Sequence, residues 1–187
     1  MKFSYEIYDI GWANAYIEIN GYKDYFSVSY MTDGLKDLVE GVLTLLPECM
    51  PNDEVKKKIV FEWYAEPGGA IWTIESINNN QLHILIKSFE DLDLKIGGKI
   101  TLDEECYKTD FIQCIVDEMD SILKEYGLVG YRKTWYSHDF PISTYLKLKN
   151  YLMDGRGFQV EHIERYPGNE YSKSELQKEL ALLDVNK

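Results

Sequence analysis

Trp12-Ala13-Asn14-Ala15-Tyr16-Ile17-Glu18-Ile19-Asn20-Gly21 is the stretch from which the fold can be read. Ala13, Ala15, Ile17 and Ile19 fall on one side of an extended chain, and Trp12, Asn14, Tyr16 and Glu18 on the other. That period of two belongs to a strand with one buried face. Asn20-Gly21 tolerates positive φ at both positions and reads as a hairpin turn. Lys23 to Met31 then returns with Phe26 and Val28 on one face, and residues 3–9 alternate in the same way. A three-stranded antiparallel meander over 3–31 follows, because so short a turn cannot carry a parallel crossover.

Further along, Leu35, Leu38, Val39, Val42, Leu45 and Leu46 recur at helical spacing after Thr32 or Asp33, with Pro47 as the stop and Asp37 and Glu40 expected on the outer face. Ile59, Phe61, Trp63 and Ala65 alternate with Val60, Glu62, Tyr64 and Glu66. Pro67-Gly68-Gly69 turns the chain into 70–77, and Asn78-Asn79-Asn80 turns it into 81–89, a second meander. Trp63 is expected in the core and Glu62 outside it. Residues 95–103 read as an edge strand with Gly97-Gly98 as a bend. A wide apolar face from Phe111 to Tyr126 marks a helix capped at Thr109 and stopped at Gly127. Pro141 opens another helix through Leu152, Phe158–Arg165 reads as a short strand, and Ser172-Lys173-Ser174-Glu175 as a capping box before a last helix. Pro167-Gly168-Asn169 is the weakest joint. The expectation is one α+β domain over 1–187: antiparallel sheets from two β-meanders, covered by amphipathic helices, with a helical C-terminal part.

The chain has 187 residues and a formal charge of −12. So acidic a protein repels phosphate backbones and anionic membrane surfaces, which argues against nucleic acid and membrane as partners and leaves a basic protein partner open. No signal-peptide pattern opens the sequence, no apolar run reaches the ~20 residues that span a bilayer, and the three cysteines form no Cys-x-x-Cys pair. These features predict a cytoplasmic protein. The charge is uneven. Residues 1–88 carry −6, residues 89–125 carry −7, and residues 126–187 carry +1.

No metal or cofactor is expected: His83, His138 and His162 stand at no metal-ligand spacing, and no phosphate-binding glycine motif is present. Within His138-Asp139 the carboxylate is placed to cap the helix at Pro141 rather than to orient an imidazole base. Glu62, Glu66 and Glu75 on the second meander are the alternative catalytic set, since carboxylates on neighbouring strands suit acid–base hydrolysis. The solvated face of a one-sided sheet yields the same pattern. On the 109–126 helix, Asp110, Gln113, Asp117, Asp120 and Lys124 form the stripe opposite the apolar face, with Glu118 flanking it. Asp110, Asp117 and Asp120 are therefore the candidate partner-binding residues.

Gly11-Trp12-Ala13 with Tyr16-Ile17-Glu18-Ile19, Ser29-Tyr30-Met31-Thr32-Asp33 before a Leu-rich helix, and Glu66-Pro67-Gly68-Gly69 followed by Trp72 and the 82–89 strand together carry a resemblance. Over about its first 90 residues the chain resembles small acidic bacterial proteins, mostly uncharacterised, some of them regarded as immunity proteins for secreted polymorphic toxins. That resemblance implies a cytoplasmic, non-enzymatic protein that covers the active surface of a toxin domain. The reading is thus a non-catalytic protein-binding protein, immunity- or antitoxin-like in its sharpest form. A carboxylate-based hydrolase and an oligomeric structural module pairing through a sheet edge stand as alternatives.

Overall fold

The computed structural model describes residues 1–136, 138–166 and 169–183. β1 (Lys2–Asp9), β2 (Trp12–Ile19) and β3 (Tyr22–Ser29) form an antiparallel sheet in sequence order. The alternation works as expected: Ala13, Ala15, Ile17 and Ile19 are buried, and Asn20 and Gly21 turn the chain at φ of 53° and 88°. β4 (Lys58–Ala65), β5 (Gly68–Ser76), β6 (Gln81–Phe89) and β7 (Lys99–Tyr107) form a second antiparallel sheet, also in sequence order. The inner faces of the two sheets meet through aromatic rings. Phe26 lies 5.4 Å from Trp72, and Tyr5 and Phe26 each stand 6.0 Å from Trp63.

Helix α1 (Gly34–Thr44) closes one side of this core with Leu35, Leu38, Val39, Val42 and Leu43, and the carbonyl of Gly34 accepts the Trp63 indole N–H at 2.9 Å. The buried Lys108 donates to the carbonyl of Leu45 at 3.3 Å, a cation where the α1 dipole is negative. Asp37, expected on the outer face, is half-buried instead.

Helix α2 (Lys108–Thr134) is interrupted at Gly127, whose φ of 61° ends the helical run where the sequence reading stops it. The chain passes straight from β7 into the helix, with Tyr107 at the cap position, so Thr109 is not the cap. α2 lies along the free edge of β1. Its Glu118 accepts the Tyr5 N–H at 2.7 Å, and its Tyr126 hydroxyl donates to the Ile7 carbonyl at 2.9 Å. Side chains thus take the place of the missing ladder partner and guard this edge against pairing with another chain.

α3 (Ile142–Asp154) packs on α1 and α2. In the remainder the expected short strand and last helix are present, and a further strand pairs with the first. β8 (Glu161–Tyr166) and β9 (Asn169–Lys173) pair as a hairpin, followed by α4 (Leu176–Leu182). Ser172 lies in β9 rather than in a capping box, and the Ser174 hydroxyl bonds the Glu179 carboxylate. The Pro167-Gly168 joint falls outside the described residues. The edge strand runs over 99–107, not 95–103, because residues 91–96 close a small loop through backbone pairing of Asp91 and Ile96 before Gly97 turns at φ 72°.

Burial, first among the causes, raises the pKa of four half-buried carboxyls, Asp24, Asp33, Asp37 and Glu118, from their ordinary values. A group that binds its proton more tightly when folded stabilises the fold as pH falls, and that stability is lost as pH rises through its folded pKa. Relief of the −12 self-repulsion acts in the same direction. Glu18 is shifted the other way, by its bond from Tyr16, so its contribution is lost only at still lower pH. The melting temperature is therefore expected to rise as pH is lowered from about 8 toward the upper edge of the carboxylate range. A melting temperature highest at the alkaline end of that scan would show the burial assigned to these carboxyls to be wrong.

Candidate functional site

The alternative catalytic trio does not converge. Glu62 faces outward from β4 and is paired with Lys95 at 2.8 Å. Glu75 stands in register with Lys58, and their ion pair measures 3.8 Å. Glu62 is in register with Ile71, so four residues of strand, roughly 13 Å, separate it from the Glu75 position. Glu66 is not on the strand at all. It sits in the β4–β5 turn at φ 41°, before a cis peptide to Pro67.

His138 lies beside a cleft of about 390 Å³ that Asp33, Glu40 and Ser143 also line. Its Nε2 is 3.1 Å from the Tyr30 carbonyl oxygen, and its Nδ1 is 3.6 Å from the Asp33 carboxylate. Both ring nitrogens therefore face acceptors of the protein itself. Asp139 neither caps α3 nor orients His138: Pro141 occupies the cap position, and Asp139 pairs with Arg132 at 2.5 Å. Asp33, at the start of α1, makes no capping bond and turns to His138 instead.

Burial pushes the Cys49 thiol up to about 11 and the Cys106 thiol up to about 12, and it raises Cys114 as well. All three stay protonated near neutrality and make poor nucleophiles. Among the described residues no group of His, Cys, Asp and Glu is placed to hold a metal ion, and no helix is long and apolar enough to cross a membrane.

The acidic candidates divide. Asp110 and Asp117 are exposed on α2, with Asp117 accepting a bond from Gln113 at 2.7 Å. Asp103 and Glu105 are exposed on β7, the outer strand of the second sheet, where Asp103 contacts His83 at 2.6 Å. Glu105 and Asp110 line one shallow hollow at the β7–α2 junction. Asp120 requires correction. It points into the α2–α3 contact, takes Lys149 at 2.9 and 3.2 Å, and bonds the hydroxyl of the fully buried Tyr145. A helical wheel places Asp120 on the stripe with Asp117, but α3 covers that end of the stripe.

Sequence reasoning missed a second surface feature. Tyr8, Ile10, Met31 and Tyr136 are 52%, 64%, 60% and 57% exposed, although all four are large and apolar or aromatic. The backbone brings them together. Gly11, at φ 73°, donates to the Thr134 carbonyl at 2.8 Å and accepts from Tyr30 N–H at 2.8 Å. A side chain there would meet the Tyr30 ring at 2.9 Å, which binds the turn to an aromatic neighbour. Tyr30 in turn packs at a tilt against Tyr136, with ring centroids 4.2 Å apart. Trp12, opposite both Asp9 and Ser29 in register, continues the patch onto the outer face of the first sheet. There Tyr16 and Tyr25 stand 4.7 Å apart, and the Tyr16 phenol is pushed up to about 12 by its bond to Glu18. Unpaired apolar patches of this kind mark contact sites more often than accidents of composition.

Comparison with family models, curated proteins and solved structures finds no match to this chain.

Proposed function

We propose that the chain is a non-catalytic protein-binding protein whose partner is a basic protein, with neutralisation of a basic toxin domain as the sharpest form of that role. The observation that carries this reading is the exposed acid at the β7–α2 junction. Asp103, Glu105, Asp110 and Asp117 are held there on an outer strand and the helix that follows it. The groups suited to acid–base chemistry are dispersed or engaged within the protein: Glu62 with Lys95, Glu75 with Lys58, and His138 with Tyr30 and Asp33. The immunity-like form rests on the resemblance of the first 90 or so residues. Self-pairing through a sheet edge receives less support, because α2 covers β1 and carboxylates line β7.

Reversing Asp110 and Asp117 to lysine tests the reading. Together the two changes should cost about 1 kcal/mol of stability or less, mostly from Asp110 in the first helical turn. Association with the partner should slow about tenfold at low ionic strength, and the loss should shrink as salt is added. Unchanged association at low salt removes this acid from the interface.

A further inference from the structure

We infer that the aromatic patch around the β1–β2 turn is the docking centre for the basic partner, and that it reads arginine side chains. The inference rests on the protein-binding reading above and moves the centre of contact from the α2 stripe to this patch. Tyr8, Ile10 and Trp12 (all within residues 8–12), Tyr30 and Tyr136 come from three separate segments, and backbone bonds through Gly11 and the tilted Tyr30–Tyr136 ring contact hold them in one place. Nothing in their packing requires so much exposure. Tyr8 and Tyr136 are each more than half exposed, and Ile10 stands at the tip of the turn at 64%.

The charge around the patch selects the occupant. Asp9 is exposed at the end of β1, beside the turn, and its carboxylate accepts the adjacent Ile10 N–H at 2.7 Å. Glu6 precedes Tyr8 on the same face of β1, and Glu118 on α2 feels the charge of both Glu6 and Glu125. Of the cations nearby, Arg132 is neutralised by Asp139 at 2.5 Å, while Lys133 is exposed on the same helix end. Aromatic faces ringed by carboxylates suit a guanidinium, which stacks flat on a ring while its N–H groups reach a carboxylate. An ammonium has the charge without the plane. The patch therefore separates arginine from lysine, whereas the exposed acid at Asp110 and Asp117 attracts both alike.

Hexa-arginine and hexa-lysine peptides are the probes, titrated at low salt into the full chain while the tyrosine and tryptophan resonances are followed. The arginine peptide is expected to bind roughly fivefold more tightly and to shift the patch resonances first. The double variant Tyr8→Ala/Tyr136→Ala removes two exposed rings and should leave thermal unfolding nearly unchanged while it abolishes the arginine preference. Equal binding of the two peptides, lost in Asp110→Lys/Asp117→Lys but not in the tyrosine variant, overturns the patch and leaves the basic-partner reading standing. Absence of binding by either peptide at low salt overturns both. A concentration-dependent dimer in sedimentation that the tyrosine variant abolishes would assign the patch to a second copy of the chain and reject the arginine occupant.

Discussion

Replacing Trp63 by alanine is expected to cost about 4 kcal/mol, a large share of the stability of an ordinary domain. Trp63 is fully buried where the two sheets and α1 meet. It contacts Trp72 at 4.7 Å and Phe61, Phe26 and Tyr5 at 6.0 Å, and its N–H is spent on the Gly34 carbonyl. Truncation leaves a cavity that the strand backbones on either side cannot close, and it removes the indole bond to the Gly34 carbonyl. For a chain of this size the melting temperature should fall by roughly 8–16 °C. Trp63→Phe keeps most of the ring and loses the hydrogen bond, so about 2 kcal/mol is expected. Denaturant unfolding of both variants decides the matter. Equal and small losses would mean that the two sheets do not share this residue as their common core.

The second large effect separates two aspartates three residues apart. Asp120→Ala removes the carboxylate that takes Lys149 and the Tyr145 hydroxyl, and leaves a lysine side chain only 18% exposed without its counter-charge. Such groups cost about 2–3 kcal/mol when a partner is deleted, somewhat less than a fully buried pair because water still reaches the site. Asp117→Ala should stay within about 0.5 kcal/mol. Unfolding of the two variants side by side measures the difference. Losses of similar size would return Asp120 to the solvent-facing stripe.

That contrast shows what could be read in advance and what could not. The alternation from Trp12 to Asn20, the Leu-rich run of α1 and the stop at Gly127 are local signals, because side-chain period and permitted φ depend on a few neighbouring residues. The structure follows them closely. Asp120 was misplaced because a helical wheel shows which side of α2 it lies on but not that α3 covers that side. Of the β8–β9 hairpin only β8 was legible, as the strand read over 158–165; β9 is short and polar, and its Ser172-Lys173 reads equally well as the start of a capping box. Residues 95–98 carried strand-like spacing but are held in a loop by the pairing of Asp91 with Ile96. The aromatic patch was invisible for a further reason. Tyr8, Tyr30 and Tyr136 lie on β1, after β3 and after α2, and only the contacts through Gly11 join them.

Recognition of a basic protein is tested most directly by the identity of what touches the chain in its own cell. A photoreactive phenylalanine analogue placed at Tyr136, at Asp117 and, as a control on the far sheet face, at Glu75 would trap the contact covalently. The account predicts one adduct from Tyr136 and Asp117 and none from Glu75, with a trapped protein whose isoelectric point is well above neutrality and whose release from the wild-type chain is promoted by salt. An adduct formed equally from Glu75, or a trapped protein that is acidic, would contradict it.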